Sequence, residues 1–151
     1  SGICKGFLTP DMIIRQRFDG TIIEGSLKST REAGMHSRLY ELRPDIGAVV
    51  HTHPAAATAF AVCGRKFPEN WLLEVPALIG KIGIAGFAPA GSAELVAEVE
   101  KVADSDVIFL QNHGVITYAP DIYEAFSRMD AVENTAKTIL YSQILGDVRE
   151  F

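Results

Sequence analysis

Gly47-Ala48-Val49-Val50-His51-Thr52-His53-Pro54 decides the reading of this 151-residue chain. Small and apolar residues of strand character run straight into a His-x-His pair. Successive side chains of a strand point to opposite faces, so His51 and His53 share one face and Thr52 takes the other. Two imidazoles side by side on a rigid strand are half of a metal site built from nitrogen ligands. One other juncture has the same form: Val107-Ile108-Phe109-Leu110-Gln111-Asn112-His113-Gly114. Again an apolar run ends in a histidine, here backed by a glycine that lets the chain turn close to whatever sits there. A lone His-x-His also arises by chance, but the chain has only four histidines and three of them stand at such strand ends. The expectation is one divalent metal held by His51, His53 and His113. His36 is expected to be a packing histidine or an outer support of the ligands.

The flanking segments supply the frame. Thr9-Pro10-Asp11-Met12 reads as a capped helical turn. Residues 13–18 and 21–24 read as a hairpin about a two-residue Asp19-Gly20 turn. A polar loop over 25–30 leads to a helix from Glu32 to Leu42 with Met35, Leu39 and Leu42 inward, stopped by Pro44. Pro54 opens an Ala-rich helix closed by Gly64, whose N-terminus beside His53 favours an anion. Residues 72–79 suit a helix broken at Pro76, and 82–85 a short strand. A helix over 93–103 turns Leu95, Val99 and Val102 inward. Residues 107–118 form a hairpin turning at Asn112-His113-Gly114. The last helix opens on a capping box, Asp121 with Glu124. Its inward stripe is Ile122, Phe126, Met129, Val132, Ala136, Leu140 and Ile144, and Gly146 ends it. Trp71 and Tyr118 are expected to pack. Interspersed strands and helices with antiparallel hairpins make this an α+β or layered α/β/α domain.

Composition narrows the functional classes. The length suits one domain with a sizeable core. The net charge is −5 with scattered basic residues, which argues against nucleic-acid and anionic-membrane partners. No apolar run reaches the length of a membrane span and no signal peptide is visible. Cys4 and Cys63 lack framework spacing, so they read as small, at least half-buried thiols in a reducing, cytoplasmic setting.

Three neutral imidazoles leave a tetrahedral metal one open position, the pattern of a catalytic site. A carboxylate could fill it at rest, and Glu32 is the candidate because it can project from the start of its helix. The helix dipole alone also accounts for a glutamate there. Lys28, Thr30 and Arg31 are either a solvated loop or a cradle for phosphate or carboxylate.

Lys28-Ser29-Thr30-Arg31-Glu32-Ala33-Gly34-Met35-His36, then Arg43-Pro44-Asp45, then Ala48-Val49-Val50-His51-Thr52-His53, then Asn112-His113-Gly114 resembles the class II aldolase/adducin family. The family's Lys-Pro-Ser-Ser-Glu-x-x-x-His, His-x-His and Asn-His-Gly signatures occur in the same order at similar intervals. The resemblance spans essentially the whole chain, residues 1–151, as one domain. It implies a three-layer α/β/α sandwich around a mostly antiparallel sheet, and a homotetramer with active sites at subunit interfaces. It assigns the metal to His51, His53 and His113, with Glu32 both ligating resting zinc and acting as acid/base. The same imidazole set also takes Mn²⁺, Co²⁺ or Fe²⁺. Ser1 and Gly2 match a small-residue-plus-Gly phosphate contact, and Thr30 and Arg31 stand at the two serine positions of the phosphate loop.

The activity implied is metal-dependent cleavage of a phosphorylated ketose, of the L-fuculose-1-phosphate kind, into dihydroxyacetone phosphate and an aldehyde. Ribulose-5-phosphate 4-epimerase is the nearest alternative, though that branch usually has Asp where this chain has Glu32. Sugar-acid phosphate dehydratases and decarboxylases follow, and a non-catalytic interaction domain like the adducin head comes last. Two departures stand out. The family's upstream Gly-Asn segment has no counterpart, so the chain is expected to lack an N-terminal segment. The second serine has become Arg31, which also suits a carboxylate. The aromatic residues that some aldolases place over the aldehyde have no clear match either, since that region reads Trp71-Leu72 and Pro89-Ala90.

Overall fold

Short, largely apolar runs separated by turns and helices build a four-stranded sheet at the centre of the computed structural model, which describes residues 3–151. Its strands are β3 (Ala48–Thr52), β4 (Ile82–Ala85), β5 (Val107–Leu110) and β6 (Gly114–Ala119), in the order β3-β6-β5-β4. The β3–β6 and β6–β5 pairs are antiparallel and β5–β4 is parallel. A separate ribbon pairs β1 (Arg15–Gln16) with β2 (Ile22–Glu24). The helices are α1 (Ala33–Leu42), α2 (Ala55–Val62), α3 (Ala93–Glu100) and α4 (Ile122–Leu145).

The strand period of two sorts the core into two faces. Val107, Phe109 and Val115 meet Phe60, Val132, Ala136 and Ile139 of α2 and α4. Ile108, Leu110, Ile116 and Tyr118 meet Met35, Leu39, Leu95 and Val99 of α1 and α3. The result is the expected three-layer α/β/α sandwich. Phe109 is fully buried, its ring edge-on to Phe67 at 5.3 Å between centroids. Phe109→Ala is expected to destabilise the fold by about 3–5 kcal/mol, the usual cost of emptying an aromatic core site. Urea unfolding at equilibrium measures it.

Local chemistry explains most element ends. Asp121 caps α4 by accepting from the Glu124 N–H at 2.9 Å, and Ser92 caps α3 through Leu95 at 3.1 Å. A Cβ at Gly47 would lie 2.2 Å from the Pro120 carbonyl oxygen, so β3 can start only with glycine there.

Several expectations change. The first hairpin turns over three residues: the Arg17 N–H donates to Thr21 and Gly20, at φ +89°, donates back to Arg17. The Asp19 side chain takes the Thr21 N–H, so the turn needs one more residue than a two-residue type I′ turn. Pro76 opens rather than breaks its helix, a single wide turn over Val75–Ile79 closed by the Gly80 N–H on the Val75 carbonyl. The buried seam of α4 is Ala125, Met129, Val132, Thr135, Ala136 and Ile139. Ile122, Phe126 and Ile144 are exposed. At its start α4 faces the sheet with Ala125, where Thr117 Oγ1 donates to the Ala125 carbonyl. Leu42 is also exposed. Cys4 and Cys63 are free but exposed, against the expectation of at least half-buried thiols.

Tyr118 packs as expected. Its hydroxyl donates to the Ser105 carbonyl, burial pushes its pKa up to about 12, and the Arg43 guanidinium stacks 5.0 Å from its ring centre. Trp71 packs against the α2/α4 core, and its indole N–H donates to Glu150 at 3.2 Å. Asn70 holds the other oxygen of that carboxylate, and the Phe151 N–H donates to the Asn70 carbonyl. The C-terminal tail is thereby tied to the 70–71 loop.

Candidate metal centre

Sheet order brings the two histidine-ending runs together. β6 lies between β5 and β3, so the β5–β6 turn that carries His113 ends beside His51 and His53. Asn112, at φ +59°, takes the left-handed position of that turn, which asparagine tolerates better than most residues. The three imidazole centroids are 4.8–5.0 Å apart, and each ring offers a nitrogen within 4.8 Å of the others. The His51 and His53 Nε2 atoms are 3.2 Å apart. Two nitrogens on a tetrahedral ion at ordinary Zn–N lengths lie about 3.3 Å apart.

His51 Nδ1 lies 2.9 Å from the Val115 carbonyl oxygen, which can only accept, so Nδ1 carries the proton and Nε2 a lone pair. Burial pulls the His51 pKa down to about 4, which keeps the ring neutral near neutral pH. Glu32 stands at the cap position of α1 with its side chain 15 % exposed, and its N–H reaches Thr30 Oγ1. One carboxylate oxygen lies 3.2 Å from His51 Nε2 and the other 2.9 Å from His113 Nε2. At His51 this sets an acceptor against an acceptor, an arrangement that a shared cation resolves. The residues present fit a divalent metal on three imidazoles and one carboxylate.

The expected anion site at the start of α2 is already filled from within. Glu133 of α4 accepts from the Ala56 N–H at 3.1 Å and the Ala57 N–H at 3.0 Å. Neither this carboxylate nor the Val115 carbonyl was anticipated. The signal was there for the first: Pro54-Ala55-Ala56-Ala57 contains no side chain able to cap its own helix.

A cavity of about 620 Å³ opens onto Glu32 and His36. Lys28, Ser29 and Thr30 line it, whereas Arg31 is exposed and does not. Ser1 and Gly2 lie outside the described residues. The His36 ring stands edge-on to His51, 6.4 Å between centroids.

Gly114 sets the closeness of the triad. A Cβ there would lie 2.5 Å from the His53 ring and 2.6 Å from the Thr52 carbonyl oxygen. Gly114→Ala is therefore expected to displace His53 and lower metal affinity by about tenfold or more, of the order seen when a ligand loses its support. Competition against a chromogenic chelator measures it.

The sequence profile of the Class II Aldolase and Adducin N-terminal domain matches residues 1–140. The chain belongs to the class II aldolase and adducin family. An L-fuculose phosphate aldolase of Methanococcus maripaludis is 36% identical over 137 residues, covering 91% of this chain and 74% of that protein. A 3-oxo-tetronate 4-phosphate decarboxylase of Escherichia coli is 30% identical over 153 residues, covering 97% of this chain and 70% of that protein. Among solved structures, an L-fuculose 1-phosphate aldolase superposes with a TM-score of 0.84 at 24% identity, covering all of this chain and 71% of that one. This last likeness concerns the fold. Among the described residues, no helix is long and apolar enough to cross a membrane.

Proposed function

We propose that this chain is a metal-dependent carbon–carbon lyase that cleaves a phosphorylated ketose of the L-fuculose-1-phosphate kind into dihydroxyacetone phosphate and an aldehyde. The observation that carries it is the Glu32 carboxylate spanning His51 and His113 at one end of an open cavity. His51, His53, His113 and, at rest, Glu32 would hold the metal, with zinc the first choice and Mn²⁺, Co²⁺ or Fe²⁺ compatible. Such an ion supplies Lewis acidity toward the substrate's carbonyl and hydroxyl oxygens.

The chain's own groups do the rest. The Val115 carbonyl fixes the His51 tautomer, and burial keeps that ring unprotonated. Glu32, displaced by substrate, is placed to take and return a proton through its carboxylate, with its side chain largely shielded from water. Thr30, on the cavity wall, would receive the substrate's anionic group through its hydroxyl. Arg31 is assigned a rim role toward the same anion, and Ser1 and Gly2 a contact to phosphate. A homotetramer with sites at subunit interfaces and a cytoplasmic setting complete the proposal. The two free thiols, Cys4 and Cys63, accord with a reducing compartment.

The decarboxylase among the relatives favours one second reading, loss of carbon dioxide from a 3-oxo sugar-acid phosphate. Product analysis with and without chelator separates the readings. Dihydroxyacetone phosphate plus an aldehyde is expected; carbon dioxide would mean decarboxylation, and an inverted pentose phosphate epimerisation. Absence of any metal-dependent turnover across phosphorylated ketoses would overturn the proposal.

A further inference from the structure

Glu133 is a carboxylate with a specific task. It sits in the middle of α4, its side chain 15 % exposed, and reaches across to the first turn of α2. Its Oε2 accepts the Ala56 and Ala57 N–H groups at 3.1 and 3.0 Å, and Oε1 approaches the Ala56 N–H at 3.3 Å. Lys137, one turn along, balances the charge at 3.3 Å. A helix start normally satisfies its free N–H groups with a local Ser, Thr, Asp or Asn. Here Pro54 occupies the cap position and no side chain caps from it. The acceptor comes instead from 76 and 77 residues along the chain.

The position of α2 matters because of what precedes it. β3 ends at Thr52, so His53 lies outside the strand, between the last ladder residue and Pro54. His51 is fixed by the β3–β6 ladder and by Val115. The His113 N–H is fixed on the Leu110 carbonyl. The backbone of His53 is bounded on one side by β3 and on the other by wherever α2 starts. Its ring meanwhile rests against Gly114, without room for a methyl group. A small shift of the first turn of α2 moves His53 within a triad in which its Nε2 stands 3.2 Å from that of His51.

From this we infer that Glu133 is a positioning residue for the metal centre: by clamping the start of α2 it sets the place of His53. The inference rests on the metal-site reading above. Glu133 touches neither metal nor substrate, and its action runs entirely through the backbone of residues 53–57.

The test uses metal-free full-length protein titrated with Co²⁺, whose visible absorption reports coordination geometry. Glu133→Ala is expected to weaken Co²⁺ binding by about tenfold or more, the usual cost of losing a ligand's support, and to alter the absorption bands. Glu133→Gln, whose amide oxygen can still accept, is expected to recover most of the affinity and the wild-type spectrum. Val132→Ala is the control, because it loosens the same helix from the core without touching α2's N–H groups. It should lower the melting temperature while leaving Co²⁺ affinity and spectrum unchanged. Wild-type affinity and spectrum in Glu133→Ala would overturn the inference. So would a weakening matched by Val132→Ala at equal loss of melting temperature. If Glu133→Ala does not fold, Glu133→Leu, which fills the site without offering an acceptor, takes its place: weakened Co²⁺ binding with altered bands supports the clamp, and wild-type affinity and spectrum overturn it. Failure of the wild type itself to bind Co²⁺ would instead refute the metal-site reading, and the clamp with it.

Discussion

His51→Ala protein is expected to purify without metal and to show no turnover of any phosphorylated ketose, while retaining its fold. The same holds for His53→Ala and His113→Ala. Each change removes one of three imidazole nitrogens that lie within 4.8 Å of one another, from a site with few ligands to spare. The loss should exceed the roughly 10–100-fold that follows when only an outer hydrogen-bond partner of a ligand is removed. The His51 change carries a second cost, because the Val115 carbonyl loses its Nδ1–H donor. Elemental analysis and a chelator-controlled assay read both effects. Full activity in a variant that holds no metal would remove the triad from the chemistry.

Glu32→Gln is expected to separate what the triad changes merge. The amide keeps the size of the carboxylate and can still face His51 and His113, but it cannot carry a proton. Activity should fall by roughly 10²–10⁴, the usual worth of a positioned acid/base. Metal should largely remain, since three imidazoles still hold it. If Glu32→Gln turned over normally with metal bound, Glu32 would be only a carboxylate at a helix start, and the proposed mechanism would lose its base.

The cluster of three histidines was legible in the sequence because strand geometry is simple. Alternation put His51 and His53 on one face, and an apolar run ending in Asn-His-Gly put His113 at a turn. The two histidine-ending runs meet because β3 and β6 are neighbours, although His53 stands one residue past the end of β3; their meeting was expected from the residues and was also implied by the resemblance. Glu32 was legible only as a candidate, since a helix start explains a glutamate as well as chemistry does. The stripe of α4 was read correctly at Met129, Val132 and Ala136 and wrongly at both ends. Size misled there: Ile122 and Phe126 look like core, yet both are exposed and the first turns of α4 meet the sheet through Ala125, whose carbonyl takes the Thr117 hydroxyl. Glu133 and the Val115 carbonyl escaped for another reason. Each acts on a partner more than sixty residues away, and no periodicity in one segment encodes such a pairing. The helix-start anion site was a sound inference from dipoles, but the anion is the protein's own.

Trp71 is the chain's single tryptophan, and its indole N–H is held by a glutamate of the C-terminal tail while its ring rests on the core. That pairing makes the protein its own optical reporter. Release of the tail would free the indole N–H and admit water to the ring, so emission should shift to longer wavelength before the helices melt. Tail detachment can thus be followed by fluorescence alone, without a label and without disturbing the histidines.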